Sequence, residues 1–198
     1  MVEFIKETDR ISRLKVPFEN IYTSVFLLKS KNGYMLVDCA TYDSDVDEFI
    51  VPALKQVGLG LNDIKALILT HFHGDHSGGK KRILQINPQI TIVDSERIID
   101  LESFEIYQMK GHTLDCIGVL DKIDVTLISG DGLQGKGVGR YPCNVIDKQE
   151  YFNTIDKVKK DKKIQKILFS HEYEPWCKDV VVGREEIEKC LEDCLKNC

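Results

Sequence analysis

The sequence predicts an α+β fold in which two β-sheets pack face to face between outer helices, a four-layer αββα sandwich. Three observations carry this expectation. The chain opens on a run of strand-like segments, strand and helix patterns then alternate in two batches, and each of the five histidines follows an apolar, strand-like run. A single doubly wound parallel sheet is the competing architecture, and the strand-rich opening fits it poorly. At 198 residues the chain is expected to form one domain, 1–198, long enough to bury a substantial core.

The elements follow in order. Strands are expected near 2–7, 11–16, 22–28 and 33–38. A helix near 44–57 comes next, with Gly58 and Gly60 marking its end. Ala66-Leu67-Ile68-Leu69 is short, wholly apolar and strand-like. The loop that follows leads through Gly78-Gly79 into a short helix ended by Asn87-Pro88. Further strands are expected near 90–94, 104–109, 116–121 and 124–129. A helix near 148–160, a strand at 165–169 and a last helix over about 183–197 complete the chain. Ile187, Cys190, Leu191, Cys194, Leu195 and Cys198 fall on one face of that last helix, where cysteine packs as a small apolar residue.

Composition narrows the function classes. No run approaches the 18 apolar residues of a membrane span. The start, MVEFIKETDR, puts charges where a signal peptide needs an apolar stretch. A cytoplasmic protein acting on a small molecule is therefore expected. A net charge of −5 argues against an extended nucleic-acid surface. The basic clusters at 80–82 and 157–163 read as solvated helix faces or ends. Seven cysteines without an export signal are expected as reduced thiols, with Cys116 and Cys143 as candidate neighbours of a site.

The chemistry concentrates in THFHGDHSGG (70–79), which holds three of the five histidines. A single histidine after a strand is usually a surface or capping residue, but H-x-H-x-D-H has no such structural explanation. His71, His73, Asp75 and His76 follow the strand near 66–69, His112 follows 104–109, Asp131 follows 124–129, and His171 follows 165–169. Strand ends on one sheet edge are where open sheets build sites. In an extended or irregular loop residues two apart point the same way, so His71 and His73 would grip one ion together with His112. Asp75, His76 and His171 would hold a second, and Asp131, having two oxygens, would bridge them. Imidazole with carboxylate suits zinc, with iron or manganese as alternatives. Two such ions can share a hydroxide that attacks a carbonyl or phosphoryl centre, with Asp75 orienting the water and shuttling its proton.

Together the H-x-H-x-D-H box, the G-H-T at 111–113, the S-G-D at 129–131 and His171 resemble the metallo-β-lactamase superfamily. The resemblance runs from GYMLVD (33–38) to His171 and implies that Asp38 supports the ligand loop. An aspartate at 131 resembles hydroxyacylglutathione hydrolases and lactonases rather than true lactamases, which usually carry cysteine or serine there. Two features depart from the pattern. Asp115 and Cys116 stand where the family often has glycine after G-H-T. The chain also ends short of the helical extension with which hydroxyacylglutathione hydrolases bind glutathione, which weighs against a glutathione thioester.

The resemblance implies a dinuclear metal-dependent hydrolase that uses a metal-bridging hydroxide on a small ester, thioester or lactone. Two alternatives stand beside it: a mononuclear iron enzyme like the persulfide dioxygenases, and a metal-binding module without catalysis.

The segment ISGDGLQGKGVGRYP (128–142) also fits G-x-G-x-x-G and G-x-x-x-x-G-K. A phosphate loop must run straight into a helix, and Gly137, Gly139 and Pro142 prevent one before about 148. It reads instead as a loop lining the pocket, with Lys136, Arg140 and Tyr141 as candidate contacts for a polar or anionic substrate group.

Overall fold

The structure, a computed structural model, describes residues 2–134, 145–173 and 178–198. The chain divides into two compact units, Met1–Ile99 and Asp100–Cys198. Each holds its own sheet, so the two-sheet expectation is met and the single doubly wound sheet is excluded.

The first unit carries a six-stranded sheet in sequential order. Its strands are β1 (Ile5–Lys6), β2 (Ile11–Phe18), β3 (Ile21–Ser30), β4 (Gly33–Val37), β5 (Ile64–Ile68) and β6 (Thr91–Val93). Neighbours up to β4 are antiparallel, and β4, β5 and β6 are mutually parallel. The parallel crossover from β4 to β5 contains α1 (Asp43–Asp45), a π turn (Val46–Ile50), α2 (Val51–Gln56) and a short 3-10 turn (Leu61–Asp63). The expected helix over 44–57 is therefore irregular. Pro52 stands in its middle and has no N–H to give to the carbonyl four residues back. The wide π turn just before it absorbs that mismatch. α3 (Gly74–Ser77) and α4 (Lys80–Ile86) follow β5. Leu14, Leu36, Ile50, Leu54, Leu67 and Ile83 anchor the core of this unit, each contributing about 1.5–3 kcal/mol by leaving water.

The second unit has a five-stranded sheet in the order β11-β10-β9-β8-β7. These strands are β7 (Phe104–Gln108), β8 (Ile117–Asp121), β9 (Thr126–Ile128), β10 (Lys166–Leu168) and β11 (Val180–Val182). Only β9 and β10 are parallel. α5 (Lys148–Lys160) and α6 (Arg184–Lys196) pack on this sheet around Tyr107, Leu127, Ile155, Ile167, Ile187 and Leu191.

Three elements differ from expectation. β1 is only two residues long, because Glu7 and Thr8 turn back to hydrogen-bond the Ile11 carbonyl. β11 was not anticipated: its three valines sit directly before the last helix, too short a run to register as alternation. α6 buries Ile187, Cys190, Leu191 and Cys194 as expected, but Leu195 is exposed. The thiols of Cys39, Cys116, Cys190 and Cys194 are free, whereas Cys198, expected to be reduced, is disulfide-bonded. Among the described residues no helix is long and apolar enough to cross a membrane.

The start of α5 gives a stability prediction. Asp147 caps the helix by accepting the Glu150 N–H at 3.0 Å, and its own N–H donates to the Gly111 carbonyl. Asp147→Ala is expected to lower unfolding stability by about 1 kcal/mol, read as a shift of the urea midpoint with unchanged slope.

Candidate metal centre

In the first unit, β4 and β5 run the same way with Val37 opposite Ile68. Asp38 and Thr70 therefore leave the sheet at the same edge. The Thr70 N–H donates to Asp38 Oδ1 at 2.8 Å and the Thr70 hydroxyl donates to Oδ2 at 2.8 Å. His76 Nδ1 approaches the same Oδ2 at 2.7 Å. Asp38, Thr70, His71 and His76 are all buried.

This network fixes tautomers. A carboxylate only accepts, so His76 carries its proton on Nδ1 and keeps a lone pair on Nε2. The Thr70 hydroxyl has given its hydrogen to Asp38. It must then accept from His71 Nδ1 at 3.2 Å, which leaves the lone pair of His71 on Nε2 as well. Both rings present the nitrogen that a divalent cation takes.

Where an extended or irregular loop was expected, part of the segment is helical. His73 is extended (φ −64°, ψ 147°) and caps a single helical turn, Gly74–Ser77, that carries Asp75 and His76. The ring centroids of His71 and His73 lie 4.6 Å apart, those of His71 and His76 4.1 Å apart. Asp75 Oδ2 is 3.4 Å from His76 Nε2. The turn is tied to the strand-end loop by bonds from Cys39 N–H to the His76 carbonyl and from Gly78 N–H to the Ala40 carbonyl. A Cβ on Gly78 would lie 1.7 Å from the Thr41 carbonyl oxygen, so only glycine allows this approach.

In the second unit, β7, β9 and β10 all point the same way, since β8 is antiparallel to both β7 and β9 and β10 is parallel to β9. The loops after them leave one sheet edge and bring His112, Asp131 and His171 together, all three buried. Asp131 Oδ1 is 3.3 Å from His171 Nε2, and Oδ2 is 3.7 Å from His112 Nε2. Gly111 sets the loop: its φ is +136°, and a Cβ there would lie 2.5 Å from Tyr151.

Cys116, considered as a site neighbour, is buried with its sulfur 3.0 Å from Thr113 Oγ1. Burial pushes its thiol up to about 12. Lys136, Arg140, Tyr141 and Cys143 lie outside the described residues. Thr70 is the functional residue that sequence reasoning missed. Its signal was a hydroxyl residue at the end of a buried strand, directly before the first histidine. The donor set of imidazoles with carboxylates suits zinc, iron or manganese.

Comparison with known proteins follows the same lines. Residues 20–98 match the family model described as metallo-β-lactamase superfamily. Curated relatives include the hydroxyacylglutathione hydrolases of Prochlorococcus marinus and Vibrio cholerae. The first is 28% identical, covering 77% of this chain and 70% of the relative; the second is 29% identical, covering 69% and 58%. The chain thus spans roughly three-fifths to two-thirds of the length of such relatives.

Among solved structures, the metallo-β-lactamase FIM-1 of Pseudomonas aeruginosa superposes with a TM-score of 0.74 at 20% identity, covering 98% of this chain and 95% of that one. A metallo-β-lactamase from Erythrobacter litoralis gives 0.73 at 17% identity, covering 98% and 96%. The fold is shared with both.

Proposed function

We propose that this chain belongs to the metallo-β-lactamase superfamily, whose family model matches residues 20–98, and is a dinuclear metal-dependent hydrolase of a small ester, thioester or lactone. His71, His73 and His112 would hold one cation, Asp75, His76 and His171 the other, and Asp131 would serve both. The observation that carries the proposal is the placement of Asp131, whose two oxygens each face a different buried histidine. A carboxylate so placed is suited to bridging rather than to a single ion. The similarity to hydroxyacylglutathione hydrolases supports a thioester within that substrate class.

Two zinc ions, or iron or manganese in their place, would supply a Lewis acid for the substrate carbonyl and a water acidic enough to attack it near neutral pH. The chain's own residues do the rest. Asp38 and Thr70 keep the Nε2 lone pairs of His71 and His76 directed at the centre. The Asp75 carboxylate orients the attacking water and carries its proton to the leaving group.

The test is metal analysis and turnover on one preparation. Protein purified without added metal, and then reconstituted, is expected to hold two equivalents of divalent metal. It should hydrolyse at least one member of an ester, thioester, lactone and phosphodiester panel. One iron with oxygen uptake on a persulfide would move the assignment to the mononuclear oxidative alternative. Full metal with no turnover would leave a binding module.

A further inference from the structure

Phe72 stands between the ligand histidines His71 and His73, yet its side chain is 48% exposed. The Nζ of Lys80 sits over its ring at 6.0 Å from the centroid. Beside this pair lies an open cavity of about 470 Å³ lined by Lys80, Lys81, Leu84 and Gln85, a volume that accommodates a small molecule. The next basic residue, Arg82, is neutralised by Asp47 through its Nε at 3.0 Å. Among the described residues neither Lys80 nor Lys81 has an ion-pair partner. The recess is lined by two lysine side chains, Gln85 and an apolar wall, Leu84, and Lys80 links it to Phe72 in the histidine loop. At that distance the ring is at the outer reach of a cation–π contact with the Lys80 head.

We infer that this recess is a carboxylate subsite that selects ester or thioester substrates bearing a terminal carboxylate, with Phe72 supporting the apolar link between carboxylate and scissile carbonyl. The inference rests on the hydrolase reading above. It also departs from the sequence expectation that the basic cluster at 80–82 is a solvated helix face or end.

The test uses the metal-reconstituted protein and two thioesters of N-acetylcysteamine, glutaryl and pentanoyl, which share a leaving group and differ in the terminal carboxylate. The wild type is expected to favour the glutaryl ester in kcat/KM, mainly through KM. Lys80→Glu with Lys81→Glu should cut that preference roughly three- to tenfold, the range for losing one or two partly exposed ion pairs. Lys80→Met, which keeps the contact with Phe72 but removes the charge, should fall between. Lys31→Glu, the same charge reversal on a distant turn, should leave the ratio as it was. No glutaryl preference, or one that survives both recess variants, would overturn the subsite while leaving the hydrolase reading intact. If neither thioester turns over, the hydrolase reading is judged by the wider ester, thioester, lactone and phosphodiester panel, and the subsite by free glutarate alone. Amide resonances of residues 80–85 that shift with glutarate in the wild type but not in the double variant support the subsite, and their failure to shift overturns it.

Discussion

Asp131→Ala is expected to lower kcat/KM by about two orders of magnitude or more and to leave the reconstituted chain short of its full metal complement. Asp131 is buried with its two oxygens directed at His171 Nε2 and His112 Nε2. On the proposed two-cation reading, removing the carboxylate would take away negative charge that offsets the cations, so the more weakly held ion should leave first. Asp131→Asn keeps shape and one acceptor oxygen but carries no charge, so it should fall between wild type and alanine. Elemental analysis per chain, run beside steady-state kinetics on the same sample, separates lost metal from lost chemistry. An alanine variant with two equivalents of metal and wild-type turnover would remove Asp131 from the bridging role.

The placement of this aspartate illustrates what was legible in the sequence. Each ligand-type residue follows an apolar run, and within each sheet parallel or alternating strand order puts those runs' ends at one edge of that sheet. Ile128 opposite Leu168 and Val37 opposite Ile68 are the pairings that do so. Hydrophobic runs report strands well because burial selects their residues. Conformation within the histidine loop was not legible. Gly74, Asp75, His76 and Ser77 have no apolar periodicity, and their helical turn is held by hydrogen bonds to Cys39 and Ala40, more than thirty positions earlier. Thr70 was hidden for the same reason: its role depends on Asp38, a partner on the adjacent strand. β11 escaped because three valines carry no period, and its pairing to β10 is a tertiary choice.

Asp38→Ala is expected to weaken metal binding by about 10- to 100-fold and to destabilise the metal-free protein by about 1–3 kcal/mol. The two effects have separate origins. Stability falls because the Thr70 N–H, the Thr70 hydroxyl and His76 Nδ1 all converge on this carboxylate in a buried place. Metal affinity falls because nothing then obliges His76 to hold its proton on Nδ1. The tautomer with Nε2 protonated cannot ligate, and the hydroxyl of Thr70, freed from Asp38, can donate to His71 Nδ1 and reverse that ring too. Backbone strain is a minor contributor. Asp38 has φ of +61°, a conformation asparagine also tolerates, so Asp38→Asn isolates the electrostatic effect. Its amide must turn an NH₂ toward one of three donors, and it too should lose metal affinity. Chelator competition gives the affinity, and urea unfolding of the metal-free protein gives the stability. If unfolding shifts while affinity holds, Asp38 braces the loop without setting its histidines. If both fall, and the asparagine variant loses affinity at near-normal stability, the carboxylate sets which nitrogen each histidine offers.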